Sequence, residues 1–187
     1  MRYPAHETEM RHQKIIEEAS RLFRAKGVAG ASIGDVMRAA NLTHGGFYAH
    51  FESKDALVCA GLEHAMNQVL AELRELASSS EHARADFLAR YLSNSHRDHP
   101  EAGCPIPALA VDVAREPGVR GSFTIQVKAL FAALAASLPW KRSRSKDSQV
   151  ISFTCALVGA LVLARATDDP VLSDSILSSV HDELLKR

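Results

Sequence analysis

The chain has 187 residues, 47% of them apolar and 24% charged, with a formal net charge of zero. That length covers one ordinary domain or a small one joined to a larger, and the composition points to a soluble globular protein. A neutral total excludes a global basic field, so any nucleic-acid partner must be held by a local patch of cations.

Three widely spaced cysteines, Cys59, Cys104 and Cys155, make no disulfide framework and fit a reducing cytoplasm. The start, MRYPAHETEMRHQ, is polar and lacks the apolar stretch of a signal peptide, so a cytoplasmic location is expected. The greasiest segment, Val150 to Ala164, is interrupted by Ser152 and Thr154 and ends at Arg165. A bilayer span needs roughly 20 apolar residues, so this segment reads as a buried helix with no membrane partner.

Helical periodicity covers nearly the whole chain, and strand signals are almost absent. Ile15, Ile16, Ala19, Leu22 and Phe23 follow the spacing of an amphipathic helix, with Gly27 as a left-handed stop. Ser32 caps the next helix in a near capping-box pattern with Asp35, and Ile33, Val36, Met37 and Ala40 form its apolar stripe. Asn41-Leu42 makes a turn. Thr43 then caps a third helix, His44 to about His50, whose Phe47 and Phe51 face back onto the first two. A fourth helix, capped by Ser53, runs through Leu57, Leu62, Met66 and Leu70 to Leu76, and three serines end it. Residues 82–98 form a further helix with Phe87, Leu88, Tyr91 and Leu92; breaks at His99-Pro100 and Gly103 precede another from about Pro105 to Ala114. After Pro117-Gly118 come a long helix from Val119 to Leu138, an exposed loop at 139–149, and two final helices, about 149–167 and 171–186. The expected fold is all-α with roughly nine helices. It divides into a three-helix head over residues 1–56 and a larger body over 57–187.

The second and third helices have the form of a helix-turn-helix, which places its second helix in the DNA major groove N-terminus first. There the unpaired backbone N–H groups face phosphates and base edges. Thr43 at the cap is placed for a phosphate and His44 for a base edge, and Ser32 joins the set at the supporting helix. Gly45 and Gly46 let the backbone come close to DNA, at a cost of about 0.5–1 kcal/mol each within a helix. Tyr48, His50 and, beyond the helix, Lys54 are spaced to touch the sugar-phosphate backbone. A small three-helix bundle with ordinary surface Tyr and His residues fits the same pattern; turn length, cap and clustering favour DNA. Residues 1–60 hold eight Lys/Arg, seven Asp/Glu and four His. Affinity per monomer is therefore expected to be modest and strongly salt-dependent.

Residues from about Ile15 to Leu57 resemble the DNA-binding head of the TetR family of one-component transcriptional regulators. The resemblance rests on Ala19, Phe23, Gly27, Ser32, Ile33, Ala39, Leu42, Thr43, Gly45, Phe47, Tyr48, His50, Phe51, Lys54 and Leu57. Gly45 to Phe51 followed by Lys54 is its most specific part. Beyond this first third, the likeness extends only to helix count and lengths. The resemblance implies a homodimer on a palindromic operator, with half-sites roughly 34 Å apart. It implies a repressor in most cases, and a body that dimerises and binds a small-molecule effector; no cofactor is implied. Gly46 departs from the family, which often has a base-touching side chain there, so specificity rests more on His44, Ala49 and DNA shape.

In the body, Met66, Phe87, Tyr91, Cys104, Phe123, Phe131 and Phe153 are candidates to line a ligand pocket, although aromatics at helical spacing fit plain core equally. Few charged residues interrupt the apolar faces, which favours an uncharged or hydrophobic ligand. Cys104 precedes a helix, whose N-terminus lowers a thiol pKa. It is thus either a sensor of electrophiles or oxidants, or an inert semi-buried thiol. His96, His99 and Cys104 match no common zinc spacing, so no metal site is expected. An enzyme would need Cys104 with a histidine and Asp98 or Asp112. No phosphate loop, nucleophile elbow or metal signature supports one, and a non-enzyme is expected. A helical interaction module without DNA binding is the other alternative. The last two helices, with Phe153, Leu157, Gly159, Leu161, Val180 and Leu184, are greasy nearly all round. Paired across a two-fold axis they would form a four-helix bundle.

Overall fold

Helix α1 (Ala5–Gly30) begins the computed structural model, which describes residues 5–186. Its Ile15, Ala19, Leu22 and Phe23 are buried, as their spacing requires. Gly27 breaks the helix at φ +76°, and the next amide, Val28 N–H, donates to Asp112 Oδ2 at 2.8 Å. A Cβ at position 27 would stand 2.5 Å from that same oxygen. Both the dihedral and the space therefore call for glycine.

Helix α2 (Ile33–Ala39) opens with a reciprocal cap. Ser32 Oγ accepts Asp35 N–H and Asp35 Oδ2 accepts Ser32 N–H, each at 3.1 Å. Asn41, at φ 59°, turns the chain, and Leu42 N–H closes the end of α2 on the Met37 carbonyl at 2.8 Å. The third element departs from expectation. His44–Ala49 is a six-residue 3-10 helix, and Thr43 makes no side-chain cap bond. Two glycines in so short a segment weaken α-helical propensity, while buried Phe47 pins it to the head.

Helix α3 (Lys54–Ser79), capped by Ser53, is about 39 Å long and runs through both cores. Leu57, Val58 and Leu62 belong to the head cluster; Met66, Leu70 and Leu73 belong to the body cluster. Leu109, Val113 and Val119 complete the head cluster, so the head's core draws on residues well beyond position 56.

The helix expected over 82–98 is two helices, α4 (Ala83–Tyr91) and α5 (Asn94–Asp98), because Ser93 caps a new start by accepting His96 N–H at 3.1 Å. A 3-10 turn (Pro100–Ala102) leads to α6 (Pro105–Val113), then α7 (Arg120–Ser137), α8 (Lys146–Ala166) and α9 (Pro170–Lys186). Among the described residues there are nine α-helices and no strand. Helix α8 alone among them is long and apolar enough to cross a membrane; here it is the central helix of the body core. That packing corrects the expected dimer face. Phe153, Leu157, Leu161 and Leu184 are buried within the protomer, leaving them no surface for a second copy. Gly159 faces open space and Val180 is half-buried. Outward on α8 are Ile151, Cys155 and Leu163, and on α9 Val171, Leu172 and Leu185.

Candidate nucleic-acid interface and body cavity

The 3-10 segment presents one side outward. Thr43, His44, Gly45, Tyr48 and Ala49 are exposed, while Phe47 points into the core. Tyr48 is 68% exposed, its ring edge-on to Phe47 at 5.1 Å, so the phenol is positioned without being buried. A Cβ at Gly45 would meet nothing within 4 Å, and one at Gly46 would make only ordinary contact with Met37 at 3.7 Å. The chain's own packing therefore does not demand glycine at either position. His50 is half-buried 5.7 Å from His12, which stacks on Phe51 at 4.6 Å. Burial pushes the His50 pKa below its ordinary value, and His12 and Arg11 add to the effect.

Two expected contact residues are already engaged. The Ser32 hydroxyl is spent on Asp35, and with the Ser32 amide it holds that carboxyl's pKa at about 2. Lys54 Nζ donates to the Val28 carbonyl at 2.6 Å and sits 5.9 Å from the Phe23 ring centre. This ammonium braces α3 against the end of α1, with two N–H groups to spare.

In the body, a cavity of about 230 Å³ opens between α3, α4 and the α5–α6 connection. Val69, Leu73, Leu76 and Phe87 give it an apolar side that the Glu72–Arg90 ion pair interrupts; Tyr91, His96, Gly103 and Cys104 form the other. Of the expected pocket residues, Phe87, Tyr91 and Cys104 line it. Met66 and Phe153 are fully packed in the body core, and Phe123 and Phe131 lie half-buried against it, so these four fill inter-helix space instead.

His96 organises the polar side. Its Nδ1 meets the Tyr91 carbonyl at 2.7 Å and its Nε2 lies 3.0 Å from Cys104 N–H. Only a neutral ring protonated at Nδ1 makes both bonds. Burial drives its pKa down to about 4. With both nitrogens committed to backbone, the ring neither serves the Cys104 thiol as a base nor offers a metal a free nitrogen. Of the two readings of Cys104, burial favours the inert thiol. Burial raises its pKa, outweighing Tyr91, the Ile106 amide, Arg24 and Arg165, which all act the other way. The helix start does not yield a thiolate at neutral pH.

Sequence reasoning missed two arginines behind this wall. Arg24, only 7% exposed, donates to Ser20 O at 3.1 Å and to Gly103 O at 2.6 Å. Arg165 donates to Arg97 O at 3.0 Å and His96 O at 2.6 Å, and its Nη1 is buried without a partner. No local pattern signals them, because their partners lie some 70–80 residues away in the chain.

A helix-turn-helix head on a helical body that holds a cavity defines the class of protein. Residues 15–60 match the family model described as bacterial regulatory proteins of the tetR family. The uncharacterized HTH-type transcriptional regulator YvdT of Bacillus subtilis is 32% identical over 68 residues, covering 36% of this chain and 35% of that protein. The match thus spans about a third of that relative's length. A TetR-family regulator from Cytophaga hutchinsonii superposes with a TM-score of 0.69 at 24% identity, covering 99% of this chain and 97% of that one. The reduced form of E. coli NemR gives a TM-score of 0.76 at 20% identity, covering 93% and 94%. These structural likenesses carry the fold. Residues 15–60 thus match the head of the tetR family, and the chain as a whole shares the fold of TetR-family structures.

Proposed function

We propose that the protein is a DNA-binding transcriptional regulator that works as a cytoplasmic homodimer. It represses from a palindromic operator until a small molecule occupies the body cavity. The observation that carries this reading is the outward face of the 3-10 segment. Thr43, His44, Tyr48 and Ala49 stand exposed around two glycines that the fold itself does not require. A bare backbone beside a phenol and an imidazole suits close approach to phosphates and base edges. Ile151, Cys155 and Leu163 on α8 are the apolar surface that supports pairing with a second copy. The protonated, buried Cys104 favours a bound ligand over covalent capture as the releasing signal.

The test is a gel shift with the region upstream of the protein's own gene, at low and high salt. A regulator gives a sequence-selective shift that weakens steeply with salt. A helical interaction module without DNA binding gives none at either.

A further inference from the structure

The cavity's charge balance is unusual. Arg24 and Arg165 lie behind its polar wall, fastened to the carbonyls of two lining residues, Gly103 and His96. Among the described residues, neither arginine forms an ion pair. No carboxylate stands at ion-pair distance from either: Glu72 is paired with Arg90 at 2.6 Å and Asp98 with Arg97 at 2.7 Å, and Glu101 acts on both arginines only through space. Burial without a direct ion pair is costly for Arg24, and the half-buried Arg165 keeps one buried nitrogen, Nη1, without even a neutral acceptor. His96 feels the same field: beyond burial, Arg165, Arg90 and Arg24 each disfavour its protonation.

We infer that the cavity takes a small organic monoanion, with its apolar part against Val69, Leu73, Leu76 and Phe87 and its carboxylate toward the His96–Gly103 wall. This deepens the ligand reading above and rests on it. It reverses the expectation of an uncharged ligand, because the two cations that matter are contributed by α1 and α8, which do not line the cavity. A volume of about 230 Å³ admits a single ring bearing a carboxylate, on the order of ten non-hydrogen atoms. The carboxylate adds negative charge on the cavity side of the wall, where neither arginine has an ion-pair partner. The apolar side excludes a fully hydrated inorganic ion.

The experiment uses the full-length protein near neutral pH, with benzoate, benzyl alcohol, benzylamine and inorganic phosphate as probes. Binding is read by calorimetric titration and by the rise in Tm that a native-state ligand produces. Benzoate should bind at least ~10-fold tighter than each of the other three, since each loses either the charge, its sign or the ring. Arg165→Met should weaken benzoate by about tenfold and leave benzyl alcohol unchanged, while Arg165→Lys retains most of the preference. Benzyl alcohol, benzylamine or phosphate binding as tightly as benzoate would overturn the inference. So would an Arg165→Met protein that keeps full benzoate affinity. If that variant fails to fold, the ranking of probes on the unmodified protein decides alone. Operator binding is measured separately. A selective operator shift without benzoate binding sinks only the anion inference; benzoate binding without a shift sinks only the regulator reading.

Discussion

Acid should loosen the α4–α6 connection at His96, and the size of the effect follows from its ring. In the folded protein the imidazole is neutral, donating to Tyr91 O and accepting Cys104 N–H, with its pKa near 4 against an ordinary 6.5. A base with a depressed folded pKa binds fewer protons in the native state than in the unfolded one. Stability is therefore fully present above about pH 6.5 and is lost as pH falls toward 4. Linkage over that gap gives about 2.5 kcal/mol lost between about pH 8 and pH 4.5 from this residue alone. The assay is urea unfolding across that range, comparing the native sequence with His96→Gln so that the other histidines cancel. The variant should start about 1–2 kcal/mol less stable at pH 8, because it weakens two buried backbone bonds. It should then lose less on acidification, so that the two curves meet between about pH 5 and 6 and cross below that. Parallel curves, with a constant difference at every pH, would refute the assignment of a buried neutral ring.

Four other substitutions probe separate parts of the molecule. Gly27→Ala puts a Cβ against Asp112 Oδ2 at a positive φ, and should lower stability by about 1–3 kcal/mol in thermal or urea unfolding. Tyr48→Ala alters a largely exposed side chain, so stability should stay within about 0.5 kcal/mol. Fluorescence anisotropy should at the same time show operator affinity falling by about tenfold. Ile151→Glu places a charge on the exposed stripe of α8 and should give a folded monomer by size-exclusion chromatography with unchanged helicity. Leu157→Glu, at a position 1% exposed, should instead unfold the body, with loss of helical circular dichroism.

The head was legible in the sequence because its determinants are local. The Ser32–Asp35 cap, the Asn41 turn and the Phe47 anchor each act within a few residues, and each lies where periodicity and capping rules put it. The 3-10 form of His44–Ala49 was not legible, since the same residues satisfy an α-helical pattern and only the packed length decides. The body was harder for a physical reason. An α8 that is apolar nearly all round gives no periodic signal for which side faces inward, so Phe153, Leu157 and Leu161 read as a dimer face when they are core of the protomer. The cavity's polar wall was least legible, because Arg24 and Arg165 act through carbonyls distant in the chain. Their charge is visible in the sequence; their place is not.

The same bonds that hide these residues from a local reading connect the two modules. A ligand shifts a conformational equilibrium only by interacting differently with its two states, so the bonds that matter are those at the cavity wall. Gly103 and Cys104 are wall residues immediately before α6, and Gly103 O holds Arg24 of α1. Further along α6, Asp112 accepts Val28 N–H at the break in α1, and Lys54 of α3 takes the Val28 carbonyl on the other side. The end of α1 is thus gripped at Arg24 by the cavity wall, and at Val28 by α6 and α3 together. Leu109 and Val113 of α6 also sit in the head's own core. Close-packed helices shift as rigid units rather than deforming smoothly. A movement of the wall that carries α6 therefore cannot leave α1 in place, and it reaches the 3-10 segment through α2, which packs on both.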